Sequence, residues 1–396
     1  MVLALAIIVG LFFGLSRFIT DLMWYGQLGF QSVVWTQLGV KIGLWVAYAL
    51  LMALTGFVSA WLAIRARPDS ADGSTIRING DVVEVGKSVS SKTARRVAVV
   101  ISLIVGVIFG SQFNANWSEI LLMFNAQSFG TTDPQFGLDN GFYVFVLPGL
   151  KLVLAAVAML LGVGLVFSVV THVLMGGIRI TMPVNGRGLF SITKRCRRQL
   201  GIWLMLNMFA WAVRQMIGVF DQLTVQGSRI TGASYTAVHA NIPVTFIMAA
   251  LTAILGVVLG IWLMRSHTLE GQASIGVRAS AALKAWRVPV TSIAVVVVVG
   301  LVLTVAWPVL LQRFRVNPNA QEMESTYIQR NIDATRAAYG LDKLKTEQYK
   351  VTDKGEQGAL AKEGDTTAQI RLLDPQVVSP TFKQLQQSKQ YYTFAD

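Results

Sequence analysis

The chain contains seven long apolar segments in which charged residues are almost absent, and they constrain its fold more than any other feature. A helix needs about 20 mainly apolar residues to cross the core of a bilayer, and each segment approaches that length. Charged residues make up 14% of the 396 residues and apolar residues 53%, whereas a soluble domain has about 25% charged residues. The sequence therefore predicts an all-α membrane bundle of seven transmembrane helices. They cover residues 2–19, 42–64, 97–113, 152–175, 200–220, 244–264 and 288–311.

Lys and Arg are concentrated in every second loop between these segments. The loops 65–96, 176–199 and 265–287 contain seven, six and four basic residues, whereas the intervening segments 20–41, 114–141 and 222–243 contain two, Lys41 and Arg229. Basic loops remain on the cytoplasmic side during membrane insertion. We therefore expect a multi-pass protein of the plasma membrane with a cytoplasmic N-terminus and an extracytoplasmic C-terminal region.

The net charge of +13 follows this topology. The C-terminal region 312–396 contains 12 basic and 11 acidic residues, so the surplus of positive charge lies in the membrane part. Basic loops at the inner membrane surface are attracted to anionic lipids. We expect membrane lipids, with anionic inner-leaflet lipids at the basic loops, as partners, and no nucleic acid.

Motifs for cofactors and metals are weak in this sequence. The Asn-Gly pair at 79–80 predicts a hairpin turn. Five residues separate Gly80 from Gly86, whereas a phosphate-binding loop needs four. No histidine has a Cys, Asp or Glu at the spacing of metal ligands. The three histidines are His172, His239 and His267. We expect no cofactor and no metal, and an enzyme is the less favoured class.

Small residues and one cysteine add local expectations. GxxxG pairs predict close approach between helices. These pairs are Gly10/Gly14, Gly106/Gly110 and Gly256/Gly260. The segment 116–124 is too short to span a bilayer and predicts a helix at the membrane interface. Cys196 is the only cysteine, which excludes an internal disulfide, and we expect it to be reduced.

A polar stripe interrupts the fifth predicted helix. Asn207, Trp211, Arg214 and Asp221 fall on one helical face. An arginine within a membrane span usually faces the interior of the bundle or a water-filled cavity, and a tryptophan one turn away can hold it through a cation–π contact. We expect this face to point into the bundle, as a structural anchor or as a functional polar site.

Two acidic residues in a predicted outer loop, Asp133 and Asp139, form the second candidate site. Paired carboxylates there would suit a transferase that acts on envelope lipids or glycans. The alternative interpretation of the stretch DPQFG (133–137) is a turn beside the membrane.

The region 312–396 predicts the start of an α+β extracytoplasmic domain. Asn319 and Glu322 have the spacing of a capping box, and Gly340 is a typical helix stop, so a helix is expected between them. Candidate partner-facing residues on this helix are Tyr327, Arg330, Arg336 and Tyr339. We expect an extracytoplasmic protein as their partner.

The rest of that region predicts turns and a strand. The pairs Asp-Pro at 374–375 and Ser-Pro at 379–380 are typical of turns, and YYTF at 391–394 predicts the beginning of a strand. Because the sequence ends just after this strand, we expect the domain to be truncated.

Five blocks of the sequence resemble an uncharacterised protein family, UPF0182, of large multi-pass membrane proteins found chiefly in actinobacteria. The blocks are DLMWYGQLGFQSVV (21–34), FGTTDPQFGLDNGFYVFVLP (129–148), TGASYT (231–236), NPNAQEMESTYIQRNIDATRAAYGL (317–341) and IRLLDPQVVSP (370–380). The resemblance implies seven helices followed by a much larger extracytoplasmic region. It implies no activity and no catalytic residues.

Three functions remain open from the sequence. The favoured hypothesis is a cell-envelope scaffold or assembly factor with an exported, partner-binding domain, because no motif for chemistry is present. The first alternative is a transporter or channel that uses the polar stripe. The second is a membrane-embedded transferase that acts on envelope lipids or glycans.

Overall fold

A computed structural model gives the arrangement of the helices. It describes residues 2–67, 74–78, 81–85, 90–180, 190–227, 230–266, 275–348, 358, 364–370 and 374–385. By contact the chain divides into two units, Met1–Thr335 and Arg336–Asp396.

Helices dominate the described residues. They are α1 Val2–Gln27, α2 Gln31–Arg65, α3 Ser91–Phe113, α4 Trp117–Phe124, α5 Leu147–Leu174, α6 Lys194–Gly218, α7 Ile242–Arg265, α8 Ile275–Leu301, α9 Trp307–Leu310, α10 Ala320–Ala338, α11 Gly364–Gln369 and α12 Pro375–Leu385. Two antiparallel hairpins join some of them: β1 Ser74–Ile78 with β2 Asp81–Val85, and β3 Ile178–Ile180 with β4 Phe190–Ile192. Ile78 pairs with Asp81, as the predicted hairpin requires, and the Asn-Gly pair itself lies outside the described residues.

Six helical stretches of the described residues are long and apolar enough to cross a membrane. They are Gln31–Arg65, Ser91–Phe124, Phe142–Leu174, Lys194–Leu223, Ala237–Arg265 and Trp286–Ala338. They coincide with six of the seven predicted spans, to within one residue at the end of 152–175. The remaining one, 2–19, coincides with part of α1, but the side chains of residues 2–8 and 11 lie outside the description. The chain is an α-helical membrane protein, and its seventh span stays a prediction.

Glycines bring neighbouring helices together at two of the three predicted GxxxG pairs. A Cβ on Gly106 would lie 2.5 Å from the Ala49 carbonyl oxygen of α2, and one on Gly256 would collide with the Met208 side chain of α6. Gly110 and Gly260 likewise lie against α2 and α6. Around Gly10 and Gly14 there is nothing within 4 Å, so that pair makes no contact within the described part of the chain.

Four helical turns of π geometry share a sequence signature. They are Phe142–Val146, Ala237–Asn241, Val302–Ala306 and Leu311–Val316. In each case a proline stands two residues after the turn: Pro148, Pro243, Pro308 and Pro318. Proline lacks an N–H and its ring collides with the carbonyl four residues earlier, and a widened turn relieves both problems. Through the last two turns, the helix that begins with α8 continues into α10. It therefore extends beyond residue 311, where the sequence predicts the end of the last membrane span.

Because neighbouring helices pack antiparallel, alternate connections lie at opposite ends of the bundle, which we name the hairpin end and the tail end. The hairpin end holds Arg65, Leu174 and Arg265, where α2, α5 and α7 finish. The tail end holds α4 and Gln312 and leads into α10. Three of the π turns, 142–146, 237–241 and 311–316, lie at the tail end. Such turns are frequent at functional sites, which directs attention to that end.

The second unit differs from its prediction. Asp374-Pro375 begins the helix α12 rather than a turn, since proline is well suited to the first helical turn, and Pro380 lies inside the same helix. The described residues of this unit contain helices and no strand, and 391–394 lies outside them. The predicted α+β character is therefore not confirmed.

Candidate functional site

The loop 125–141 at the tail end folds around the carboxylate of Asp139. The Ser128 hydroxyl donates to Asp139 Oδ2 at 2.6 Å, and the backbone N–H groups of Phe129 and Gly141 donate to Oδ1 at 3.0 and 2.7 Å. The Gly130 N–H donates to Oδ2 at 3.1 Å. These bonds, that from Ser128 first, lower the pKa of Asp139 to about 2.

Asp133 is the second centre of the same loop and is only 6% exposed. The N–H groups of Gln135 and Phe136 donate to its Oδ1 at 2.8 and 2.6 Å, and the Leu138 N–H and the Tyr143 hydroxyl donate to Oδ2 at 2.9 and 2.8 Å. Burial raises the pKa of Asp133, but the hydrogen bonds together outweigh it and leave the pKa below its ordinary value.

The two acidic residues therefore act as internal acceptors of the loop. Each carboxylate receives four hydrogen bonds from its own segment, and both are held in the ionised form, which cannot donate a proton. The geometry supports the turn interpretation of DPQFG over the paired acid and base of a transferase.

Aromatic rings join this loop to the end of α6. The ring of Phe220 lies 5.0 Å from Phe136 and 5.3 Å from Phe142, both edge to face. Tyr143, which holds Asp133, has its ring 6.3 Å from Phe220. Edge-to-face pairs of this kind add about 0.5–1.5 kcal/mol each beyond the area they bury. The loop is thus fastened to the bundle.

The base of α10 is held by the tail-end loops. The Tyr235 N–H donates to Glu324 Oε2 at 3.0 Å, and Arg330 Nη1 donates to Gln135 Oε1 at 3.2 Å. Asn331 Nδ2 donates to the Thr231 carbonyl at 2.8 Å. Three contacts along two turns fix the direction in which α10 leaves the bundle.

Two of the predicted partner-facing residues belong to this internal contact. The Tyr327 hydroxyl lies 3.4 Å from His239 Nδ1, and the Arg330 guanidinium lies 5.5 Å from the Tyr327 ring centre. Both side chains are half-buried in this contact, and a role in binding a partner stays a prediction for them. A helical wheel could not reveal the contact with His239, because it shows which residues share a face and not which residues pack against that face. Arg336 and Tyr339 are exposed, Tyr339 at 78%, and their role stays a prediction.

A cavity of about 440 Å³ lies beside the base of α10. Its polar lining includes Gln222, Asn241, Gln312, Asn317 and Glu324, which come from segments far apart in the sequence. Sequence reasoning missed it, since only the fold brings these side chains together. The one available signal was the number of amide residues at the ends of apolar segments.

The polar stripe of α6 does not form one inward face. Asn207 Nδ2 donates to the Leu161 carbonyl of α5 at 3.1 Å, so this residue does face the bundle. Trp211 is 58% exposed and Arg214 is also exposed. Their predicted orientation is corrected, because the contact with α5 that covers Asn207 does not extend to them. A role for Arg214 stays a prediction.

Asp221, the last member of the stripe, pairs with a residue that the sequence analysis overlooked. Lys151 Nζ lies 2.8 Å from both carboxylate oxygens of Asp221. Lys151 stands near the start of α5, just outside the uncharged run 152–175. This ion pair links α5 to the end of α6 at the tail end.

A buried polar cluster at the hairpin end was also missed. His172 Nε2 lies 3.0 Å from Gln199 Oε1, and Gln199 Nε2 donates to the Ser59 carbonyl at 2.9 Å. The Ser59 hydroxyl donates to the Gly164 carbonyl. His172 and Ser59 are fully buried, as is the free thiol of Cys196 nearby in the chain. These bonds join α2, α5 and α6.

Metal chemistry finds no support in the part of the chain that the structure describes. Within it, no group of three or more His, Cys, Asp or Glu side chains could hold a metal ion. His239 stacks on Tyr235 with ring centres 4.1 Å apart, while His267 lies outside the described residues.

These features define a multi-spanning α-helical membrane protein with a folded polar assembly at one end of its bundle. The chain belongs to the Uncharacterised protein family (UPF0182), which it matches over residues 1–396. The resemblance drawn from the five sequence blocks is therefore confirmed.

Relatives in actinobacteria extend well beyond this chain. A UPF0182 protein of Bifidobacterium adolescentis is 78% identical over 395 residues, covering 100% of the chain and 36% of the relative. UPF0182 proteins of Kocuria rhizophila and Corynebacterium diphtheriae are 36% and 33% identical, covering 100% and 95% of the chain and 37% and 36% of each relative. The chain thus spans little more than a third of these relatives' length. No solved structure matches it.

Proposed function

We propose that this chain is the membrane anchor of a cell-envelope scaffold or assembly factor, which carries an exported region on α10 and presents it to a protein partner. The observation that carries the proposal is the mounting of α10. Glu324, Arg330 and Asn331 are each hydrogen-bonded to a tail-end loop, although a flexible tether would need no such bonds. With 19 residues, α10 is about 28 Å long.

The proposal includes an orientation in the plasma membrane. The hairpin end, with its seventeen basic residues in three loops, lies in the cytoplasm against anionic lipids, and the tail end lies outside. The first helix adds the seventh span. Protease added to intact, wall-stripped cells should cut the region after α10 and spare the loop 65–96. Cutting of the loop 65–96 alone would reverse the orientation.

The two rival functions receive less support. A transferase would need an unoccupied acid or base, whereas Asp133 and Asp139 each accept four hydrogen bonds, all but one of them from their own loop. A transporter that uses the α6 stripe would need Trp211 and Arg214 to line an interior path, and both are exposed. An anchor requires neither feature.

Site-specific photocrosslinking in living cells tests the scaffold. A photoreactive amino acid at Tyr339, which is 78% exposed, should give a discrete adduct with another envelope protein in cells that express the full-length protein. The same amino acid at Tyr327, which faces His239, should react within the chain and serves as the matched control. Absence of intermolecular adducts at both Tyr339 and Arg336 would reject a partner at α10.

A further inference from the structure

We infer that the cavity at the base of α10 is a binding site for a hydroxylated organic cation, a small molecule that carries an ammonium group and several hydroxyl groups. This inference concerns a ligand and not a protein partner, so it goes beyond the scaffold proposal.

The charge of the cavity favours a cation. Among the lining residues that the structure describes, Glu324 is the only one with an ionisable side chain, and it is 6% exposed. One of its carboxylate oxygens accepts the Tyr235 N–H. Among the described residues, no Lys or Arg nitrogen lies within 4 Å of this carboxylate. A buried carboxylate is stabilised by a positive partner, and an ammonium group in the cavity would supply one.

The neutral part of the lining suits hydroxyl groups. Asn241 Nδ2 donates to Gln222 Oε1 at 3.3 Å, and Gln312 Nε2 donates to Asn317 Oδ1 at 2.9 Å. These bonds orient the four side-chain amides but use only the oxygen or only the nitrogen of each amide. Gln312 is the exception, because its oxygen also accepts a hydrogen bond from the Thr236 hydroxyl. Amide donors and acceptors therefore remain beside the carboxylate, and a polyhydroxylated molecule can use both.

The size of the cavity suits a small organic molecule better than a bare ion. A volume of about 440 Å³ lies within the range of small-molecule sites, about 300–1,000 Å³. A dehydrated metal ion would instead need several oxygen ligands at about 2.0–2.6 Å. Ile230 and Ile328 add apolar surface that can cover the carbon skeleton of a ring.

The fold also favours a site that is already formed. Asn241 and Gln312 each belong to a π turn, at the start of α7 and after α9. Glu324 is fixed by the same contacts that mount α10 on the loops. A site assembled on helix ends is held more rigidly than one on free loops, which reduces the ordering cost of binding.

The test uses two sugars that differ in one group. Glucosamine carries an ammonium group where glucose carries a hydroxyl. Binding of each to the purified full chain in lipid nanodiscs is measured by calorimetry at pH 6. We expect glucosamine to bind at least about tenfold more tightly than glucose, the factor typical of one charge-assisted hydrogen bond. Glu324→Gln should abolish this preference, so that the two sugars bind about equally.

Glu322→Gln is the matched control, because it removes the same charge from the same helix at an exposed position. It should retain the preference. Equal binding of the two sugars to the unmodified chain, or no glucosamine binding, would overturn the inference even if Glu324→Gln fails to fold. A preserved preference in folded Glu324→Gln would also overturn it. Neither result bears on the crosslinking of Tyr339, so the two proposals fail separately.

Discussion

Two polar assemblies, one at each end of the bundle, are built on opposite principles. At the tail end, Asp133 and Asp139 accept hydrogen bonds from backbone N–H groups of their own loop, between two and ten residues away. At the hairpin end, Ser59, His172 and Gln199 bind one another across three helices and separations of up to 140 residues. The first assembly shapes a single loop, whereas the second fixes the positions of helices.

The difference shows where each part of the molecule obtains its order. The loop 125–141 can form its hydrogen bonds before the helices assemble, since all but one of the donors to Asp133 and Asp139 lie within the loop itself. The hairpin-end cluster exists only after α2, α5 and α6 have packed. Loss of one member should therefore have local consequences at the tail end and should loosen helix packing at the hairpin end.

Removal of the Asp133 carboxylate should give the largest effect. Asp133→Ala leaves three N–H groups and the Tyr143 hydroxyl without their acceptor, and unsatisfied buried donors cost about 1–3 kcal/mol each. We expect a loss of about 3 kcal/mol in the free energy of unfolding after water replaces some of these bonds. Thermal unfolding followed by tryptophan fluorescence measures it. Asp333→Ala, at an exposed position on α10, should change little; equal losses would show that the loop is not a structural unit.

Substitution of Gln199 tests the other end. Gln199→Leu removes the bonds to His172 and Ser59, and hydrogen bonds between membrane helices contribute about 0.6–1.7 kcal/mol. We expect a loss of about 1–2 kcal/mol and faster amide exchange along α5. The control is Gln215→Leu on the same helix, where one longer bond of 3.3 Å to Thr252 is lost. A larger effect for Gln215→Leu would contradict the assigned role of the cluster.

The same contrast explains what the sequence could predict. Length and hydropathy locate six of the spans because each span is a local property, and the spacing of Gly256 and Gly260 marks a contact for the same reason. The turn interpretation of the stretch from Asp133 to Gly137 also needed only neighbours in the chain.

Contacts between distant segments escaped prediction. Nothing local indicates that Gln199 reaches Ser59, that Lys151 pairs with Asp221, or that Glu324 faces the cavity. The prediction for the polar stripe of α6 failed for a related reason. The helical period places Asn207 and Arg214 on a common face, but it does not show how far the contact with α5 covers that face. From the sequence, the candidate site could therefore be located at one end of the bundle, but the individual residues that form it could not be predicted.

Acid should loosen the Asp139 half of the tail-end loop over a defined pH range. Its pKa is lowered from 3.8 to about 2, so the folded loop favours the ionised carboxylate. That contribution is complete above the unfolded value near pH 4 and is lost as the pH falls towards 2. Hydrogen exchange at the amides of Gly130 and Gly141, corrected for intrinsic rates, should accelerate in that range. In Asp139→Asn the same amides should show no pH dependence between 4 and 2, and a dependence that persisted would assign the transition to another group.

The ion pair between Lys151 and Asp221 should give the smallest effect, although its geometry is good. Its side chains are 46% and 38% exposed, and ion pairs of such exposure contribute about 0–1 kcal/mol. A double-mutant cycle with Lys151→Met and Asp221→Asn isolates the coupling, which we expect to be about 0.5 kcal/mol and to fall in high salt because mobile ions screen exposed charges. This ion pair joins different helices, as the hydrogen bonds at the hairpin end do, but it lies at the tail end, where the loops leave the bundle. A coupling above about 2 kcal/mol would mean that the pair is shielded from water in the membrane. Long-range contacts would then fix helix positions at both ends, and the contrast between the two assemblies would be confined to the loop around Asp133 and Asp139.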